Sequence, residues 1–438
     1  MSDDFANRKT PIRVGFVTIG CRANQADTSR MISRLPANAV ETDVQRDPCD
    51  IIVVNTCAVT AKAEADSRKL IRRAKRSNPD ALVIVTGCAA ELDPSGWLSL
   101  PEVDLVIGLS ERDKIQEYIS LHESPGGIAA RRPPGGTDGV GGPTPLRGHK
   151  SRPFLKIQDG CSRGCAYCVV PRARGPERSR TLGAVRDDIL RFSDAGYMEI
   201  VLTGVHLGRW GRDLGLSLSD LLNMLEEIDT DSRIRLSSLE PMDLDPSLIE
   251  RILANPRICP HLHLPLQSGD QGILDAMGRG HTLQDYSILV ETAMRVRPDT
   301  AIGADVMVGF PGENIHSHQN TLSYINSLPF AYLHIFSFSP RDGTRAAEMQ
   351  GRPQGSEIRK RMKDLKALDA AKRRAFRLSQ LGKTRMFLIE APPYRSGRAT
   401  ALSDNFIRIF PEAKDIQSRI GNLLPFIIDN NSVGPEED

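Results

Sequence analysis

Between residues 12 and 121, short apolar runs alternate with longer amphipathic stretches. "IRVGFVT" (12–18), "IIVVN" (51–55), "LVIVT" (82–86) and "DLVIG" (104–108) are short and β-branched, and small or polar residues follow them. That pattern predicts buried strands. Helical patterns fall between, notably "AKAEADSRKLIRRAKR" (61–76). Strand alternating with helix predicts an α/β fold built on a doubly wound parallel sheet.

The alternation resumes from 153 to about 337. "FLKIQD", "EIVLTG" (199–204), "RIRLSSLEP" (233–241), "HLHLPLQSG" (261–269), "IGADVMVGFPGE" (302–313) and "LHIFSFSP" (333–340) predict six strands. Helical stretches at 181–195, 216–228, 283–296 and 314–327 separate them. Six such units fit a partial (β/α)6 barrel, a fold in which function collects at the carboxyl ends of the strands. The polar clusters "TGVHLG", "SSLEP", "PLQSG" and "GFPGE" occupy those ends.

Other stretches lose the alternation. Residues 122–151 are dominated by glycine, proline and basic residues, which predicts a mobile linker. Residues 356–380 form a strongly basic helical pattern. The segments "TRMFLIEA", "SGRATAL", "FIRIF" and "IGNLLPFIID" between 384 and 428 predict a small β-barrel. The prolines of "APPYRSG" interrupt a regular strand there. The acidic, polar tail 431–438 predicts disorder. The expected organisation is therefore 1–121, an α/β domain; 122–151, a linker; 152–380, the partial barrel with its basic helix; 381–430, the small barrel; and 431–438, a tail.

Composition narrows the class. The chain has 438 residues, 40% hydrophobic and 26% charged, with a net charge of +2. A polyanionic partner is thus met by local basic patches rather than by a global field. The N-terminus "MSDDFANRKT" lacks a basic segment followed by an apolar one, so no signal peptide is expected. The apolar runs are strand-length and too short to span a bilayer. A cytoplasmic location follows, and with it a reducing environment. There, eight cysteines point to burial, metal binding or catalysis rather than to disulfides.

Three of them, Cys161, Cys165 and Cys168, form a C-x3-C-x2-C pattern after the first strand of the six-unit array. A structural zinc site closes with four ligands, and an iron–sulfur cube takes four thiolates. Three thiolates leave one metal position open for a substrate. A zinc knuckle with a remote fourth ligand is the competing reading.

Three more cysteines hold matching places. Cys21 follows the first N-terminal strand, Cys57 the second and Cys88 the third. In a parallel sheet these ends share one edge, where ligands of open α/β sheets bind. Cysteine is also common in cores, but burial alone predicts scattered thiols rather than three just beyond strands. Cys49 and Cys259 precede strands and are expected to be inert buried thiols.

The central spacing resembles that of the radical S-adenosylmethionine (SAM) enzymes. The wider set "GCRANQADT", "NTCAVT", "TGCAA", "GCSRGCAYCVVPRARGPERSR", "LTGVHLG", "RLSSLEP", "HLHLPLQSGD" and "ADVMVGFPGE" resembles the methylthiotransferases over nearly the whole chain. Within them it is most similar to the bacterial branch acting on N6-threonylcarbamoyladenosine at position 37 of tRNA. The resemblance implies two [4Fe-4S] clusters, one on Cys161, Cys165 and Cys168 and one on Cys21, Cys57 and Cys88. It implies SAM bound at the open iron, cleaved by one electron to a 5′-deoxyadenosyl radical. The implied product is 2-methylthio-N6-threonylcarbamoyladenosine. SAM serves twice, once to methylate sulfur and once to supply the radical. The implied partners are the tRNA anticodon loop and a reductant protein such as a flavodoxin or ferredoxin. The last domain resembles the RNA-binding TRAM module. Sibling enzymes act on N6-isopentenyladenosine in tRNA or on a ribosomal-protein aspartate. A non-catalytic zinc-containing RNA-binding protein is the reading from another class.

Further residues carry two readings each. Arg172, Arg174, Arg178 and Arg180 suit carboxylate or phosphate and are candidates for the SAM carboxylate or the tRNA backbone. The alternative is a solvated basic loop. Thr203 and Gly204 align with the family position that contacts the SAM amino group. Glu240, Gln267, Gly309, Gly312 and Glu313 are read as lining the SAM and adenine pocket. Against this, the glycines suit turns of positive φ, and Glu240 suits a helix N-terminus. No role is assigned to His206, His261 or His263. The basic helix either tracks phosphate or is a solvated face, with Met362, Leu365, Leu368 and Phe376 as its apolar stripe.

Overall fold

The computed structural model describes residues 11–121, 151–391, 399–411 and 416–430. The predicted linker (apart from Ser151), the tail and most of "APPYRSG" lie outside them. The chain divides into two compact units. One comprises Met1–Gly148 with Val169–Pro176, and the other His149–Cys168 with Glu177–Asp438. The eight residues that follow Cys168 thus belong with the N-terminal unit, an affiliation that no local pattern suggests.

The N-terminal unit is built on five parallel strands: β1 (Ile12–Thr18), β2 (Ala39–Thr42), β3 (Ile51–Thr56), β4 (Leu82–Gly87) and β5 (Leu105–Val106). Their order is β2-β1-β3-β4-β5. Alternate residues feed two cores. Ile51, Val53, Leu82 and Ile84 join Met31, Ile115 and Ile119 on one face. Ile52, Val54, Val83 and Val85 join Ile71, Ala74 and Trp97 on the other. Both faces are covered, as the continuous apolar runs require. The edge strand β2, "AVET", carries no apolar run, so only its pairing with β1 makes it a strand.

The second unit holds six parallel strands in chain order: β6 (Phe154–Asp159), β8 (Glu199–Gly204), β9 (Arg233–Leu236), β10 (His261–His263), β11 (Ala301–Val308) and β12 (Tyr332–Ser337). A short strand, β7 (Arg178–Ser179), pairs antiparallel with β6. The six fall into two sheets, β7-β6-β8-β9 and β10-β11-β12. A parallel bridge between Ile234 and Ile258, and the bond from Leu239 N to His263 O (2.9 Å), run between them. Helices Leu182–Asp194, Leu218–Glu227, Leu283–Val296 and Ile315–Ser327 occupy the predicted intervals. Their inner faces build one large core with the strands, including Phe192, Trp210, Tyr286 and Phe330.

The predicted strand at 261–269 ends at His263. Pro265 cannot donate to a ladder, and Gln267 takes φ 73°, a left-handed backbone. The segment stays anchored without being a strand: Leu264 N bonds Gly303 O (2.8 Å) and Gln267 N bonds Asp305 O (2.8 Å).

Helix Gly355–Gln380 matches the basic pattern. Leu365 is buried in the large core with Met362 and Leu368 against it, while Phe376 packs on the C-terminal core. Part of its charge is structural. Lys372 Nζ bonds Asn326 O (2.6 Å) and Leu328 O (2.7 Å), and buried Arg361 pairs with Glu313 at 3.1 Å. The last strands, β13 (Thr384–Glu390), β14 (Thr400–Ser403), β15 (Arg408–Ile409) and β16 (Leu423–Ile427), make an antiparallel sheet in the order β15-β14-β13-β16.

Among the described residues, no helix is long and apolar enough to cross a membrane.

Candidate metal centres

Cys161 leaves β6 through Gly160, whose φ of 73° turns the chain out of the strand. The loop is fixed by its backbone. Cys168 N bonds Cys165 O (3.1 Å), Ala166 N bonds Met277 O (2.8 Å), and Ala346 N bonds Ala166 O (2.8 Å). Cys161 is buried, and Cys165 and Cys168 are half-buried. None of the three is in a disulfide.

Polar side chains surround the sulfurs. His206 Nδ1 lies 3.4 Å from Cys161 Sγ, and the Arg163 amide donates to the same sulfur at 3.4 Å. His206 Nε2 meets Asp243, which also takes Arg163 Nη2 at 2.6 Å and Arg212 Nη2 at 3.1 Å. Burial alone would lower the His206 pKa. Its bonds to Asp243 and Cys161 outweigh that and raise it to about 9. Arg279 Nη1 stands 3.9 Å from Cys165 Sγ. Burial pushes the Cys165 thiol up, and Arg279 opposes the shift. Cys161, Glu177 and His206 bring ligand atoms within 4.8 Å of one another. Glu177 is already paired with Arg209 and accepts the Ser162 amide at 3.3 Å.

The strand ends behind this loop are closely joined. Gln158 Nε2 donates to Gly160 O (2.8 Å), and its Oε1 accepts the His206 amide (2.7 Å). A Cβ on Gly204 would stand 2.9 Å from that Oε1, so glycine suits the position. Thr203 is buried beside it in β8. Glu240 pairs with Arg279, which also bonds Pro265 O at 3.0 Å. Gln267 is buried with no hydrogen-bond partner for its Oε1 among the described residues. Gly309 and Gly312 have φ of 81° and 87°, and Glu313 accepts the Gly309 amide, so both glycines serve a turn.

The N-terminal thiols also come together. Cys21 caps helix Arg22–Ser33, Cys57 follows β3, and Cys88 opens the short helix Cys88–Leu92 after β4. Two left-handed glycines make the approach possible. Gly20 has φ 105°, and a Cβ there would lie 2.8 Å from Cys57 Sγ. Gly87 has φ 101°, and a Cβ there would lie 2.3 Å from Thr56 O. Asn24 ties two of the loops, its Nδ2 donating to Ile19 O (2.8 Å) and Thr56 O (3.0 Å). Burial pushes the Cys57 thiol up to about 12, and neighbouring Cys21 and Cys88 add to the shift. Burial also raises Cys88, against the pull of Arg174. A metal takes such thiols as thiolates, so binding it would have to overcome the burial that raises Cys57 and Cys88. Cys21 and Cys88 are near enough to Cys57, and Cys161 to Cys165, to act on its charge, and thiols so gathered are the donor type that iron–sulfur clusters use.

The arginines correct the sequence reading. Arg174 is buried in the N-terminal unit, where its Nε donates to Cys88 Sγ at 3.1 Å. It is not a solvated loop residue. Arg180 is buried too and is held by Asp188 (2.5 Å) and Ala184 O (3.2 Å), a structural role. His206, Asp243 and Arg279 went unassigned in the sequence, although they are the side chains around the central thiols. The one local signal was the place of His206 just beyond a strand.

A third polar group lies on β10, β11 and β12. His263 Nε2 and His334 Nδ1 each stand 3.3 Å from Asp305 Oδ1, and the far ring nitrogen of His263 meets Ser238 at 2.7 Å. Burial works against the Asp305 charge, and the two imidazoles outweigh it, holding the carboxyl well below its usual range. The carboxylate thus already serves both rings.

Comparison with known proteins agrees with this geometry. Residues 13–108 match the model described as uncharacterized protein family UPF0004, and residues 155–325 match that of the radical SAM superfamily. The chain is 35% identical over 425 residues to the threonylcarbamoyladenosine tRNA methylthiotransferase MtaB of Aquifex aeolicus, covering 95% of this chain and 100% of that one. It is 35% identical to the MtaB of Thermotoga maritima, covering 86% of each. Among solved structures, the radical SAM methyltransferase TsrM from Kitasatospora setae, with cobalamin and a [4Fe-4S] cluster bound, gives a TM-score of 0.53. That likeness covers 77% of each chain at 16% identity and shows shared fold alone. A [4Fe-4S] cluster and SAM are the cofactors of the superfamily whose model spans the central loop. The chain belongs to the methylthiotransferase family of radical SAM enzymes.

Proposed function

We propose that this enzyme replaces the C2 hydrogen of N6-threonylcarbamoyladenosine at position 37 of tRNA with a methylthio group. The observation that carries the reading is end-to-end likeness, at 35% identity, to proteins named for that substrate. Cys161, Cys165 and Cys168 hold one [4Fe-4S] cluster, and Cys21, Cys57 and Cys88 hold a second. The chemistry such clusters supply is one-electron cleavage of SAM at the first and delivery of methylated sulfur at the second.

The chain's own residues prepare the site. Arg279 and His206 keep positive charge beside Cys165 and Cys161. Thr203, Gly204, Glu240, Gln267 and Gly309 line the SAM and adenine pocket at the strand ends. The C-terminal antiparallel sheet acts as a TRAM-like RNA-binding module for the tRNA. A flavodoxin or ferredoxin in the cytoplasm provides the electron.

Nucleoside mass spectrometry of a strain lacking the protein tests the substrate. Loss of the methylthio-threonylcarbamoyl nucleoside, restored by the wild-type gene, supports it. Loss of methylthio-isopentenyladenosine, or of a modified ribosomal aspartate, moves the assignment to a sibling branch. Stoichiometric zinc without iron or sulfide in anaerobically purified protein would favour the RNA-binding reading.

A further inference from the structure

We propose that Arg174 is a positioning residue of the N-terminal cluster, which it retains and tunes through a buried hydrogen bond to Cys88 Sγ. The inference rests on the reading that Cys21, Cys57 and Cys88 hold a [4Fe-4S] cluster.

The sequence puts Arg174 six residues beyond Cys168, yet its segment packs in the N-terminal unit. Val169 and Ala173 enter the same core as Cys88, Ala89 and Ala90. The short helix Val170–Arg174 then stops at Gly175, φ 73°. This delivers the Arg174 side chain, 2% exposed, to buried acceptors. Nε donates to Cys88 Sγ at 3.1 Å, and Nη2 donates to Asn24 Oδ1 at 2.7 Å and Asp27 Oδ2 at 3.0 Å. The same Asn24 ties the loops of the thiol set.

The charge balance points the same way. Asp27 is buried and pairs with both Arg112 and Arg174. Both guanidiniums lie near enough to Cys88 to act on its charge. A buried cation is costly unless matched. A neutral thiol is a weak acceptor, whereas a thiolate makes a charge-assisted bond. The bond from Arg174 to Cys88 is thus charge-assisted when Cys88 is a thiolate, as a cluster ligand is. Hydrogen bonds to sulfur and local net charge are among the levers that set iron–sulfur potentials.

The test uses full-length protein with Cys161, Cys165 and Cys168 replaced by alanine, so that only the N-terminal cluster is loaded. This parent is compared with its Arg174→Gln and Arg174→Lys derivatives. The readouts are the midpoint potential, from an EPR-monitored titration, and the rate of iron loss to a chelator. Arg112 stays paired with Asp27 in both derivatives, so the carboxylate is not orphaned. The expected result is a more negative potential in Arg174→Gln and iron loss faster by about 10–100-fold, the usual cost of losing such an outer partner. Arg174→Lys keeps the charge without the fork and falls between. Equal potentials and release rates in all three proteins would overturn the inference. A parent that binds no iron would instead remove the cluster reading itself, and the inference with it.

Discussion

Arg235 on β9 lies diagonally across from Glu199 on β8, both with side chains 0% exposed, and Arg235 Nε donates to Glu199 Oε1 at 2.7 Å. Arg233 and Arg152 reach the same carboxylate, each at 2.7 Å. The arginines face two ways. Arg233 also donates to Met386 O (2.7 Å) and Leu402 O (3.0 Å), and Arg235 to Ser403 O and Asp404 O, both at 2.9 Å. Glu199 therefore holds the side chains that seat the C-terminal sheet.

Replacing Glu199 by glutamine leaves three arginines short of their shared anion. The expected loss is about 3–5 kcal/mol, the usual cost of breaking a buried ion pair from one side. Burial opposes the Glu199 charge, and Arg235, Arg233 and Arg152 outweigh it, so the carboxyl titrates well below its ordinary value. The native state then binds fewer protons than the unfolded chain in acid. The stabilisation is complete above the unfolded carboxyl's range and is lost as pH falls toward the native value. Denaturant unfolding of wild type and Glu199→Gln between neutral and acid pH checks both points. A variant as stable as wild type at pH 7 would contradict the assignment.

Gly87→Ala tests the N-terminal centre without touching a ligand. Alanine at φ 101°, ψ −177° costs about 1–3 kcal/mol, and its Cβ would overlap Thr56 O. The loop must move, and Cys88 moves with it. Iron per chain should fall by about half, given two clusters of equal size. Gly183→Ala, with open space and ordinary φ, should change nothing. Full iron content in Gly87→Ala would show that the glycine does not place Cys88.

His281 is buried, and neither ring nitrogen has a hydrogen-bond partner among the described residues. Burial, helped by Arg279, lowers its pKa to about 4. An unfolded histidine titrates near 6.5. Between those values the unfolded chain binds a proton that the native chain refuses, so stability drops as pH falls through that window. The expected loss is about 3 kcal/mol by pH 4. His281→Leu should flatten this part of the curve. Parallel curves for variant and wild type would assign the acid sensitivity elsewhere.

The two thiol sets should separate chemically. Alanine at Cys161, Cys165 and Cys168 should abolish formation of 5′-deoxyadenosine. Alanine at Cys21, Cys57 and Cys88 should leave SAM cleavage and remove methylthio transfer. Product analysis by liquid chromatography and mass spectrometry reads both. SAM cleavage by the first variant would displace the central cluster from its three cysteines.

The strands were legible because a buried parallel strand needs a continuous apolar run, and "IIVV" or "LVIV" has few other uses in so short a space. The helices matched for the same reason, their periodicity being local. Strand ends were harder. "HLHLPLQSG" reads as one run, but Pro265 and the left-handed Gln267 stop it at His263. The edge strand at 39–42 had no apolar signal, since β1 supplies its hydrogen bonds.

By itself, the sequence determined the parallel α/β frame and the placing of cysteines just beyond strands, since both follow from short-range patterns and chain order. Only the tertiary structure decided which side chains attend them. His206 meets Cys161 across 45 residues, Arg279 meets Cys165 across 114, and Arg174 meets Cys88 across 86. Such partners are chosen by where packing delivers a charge, and an arginine bound for a buried sulfur reads in the chain like one bound for solvent.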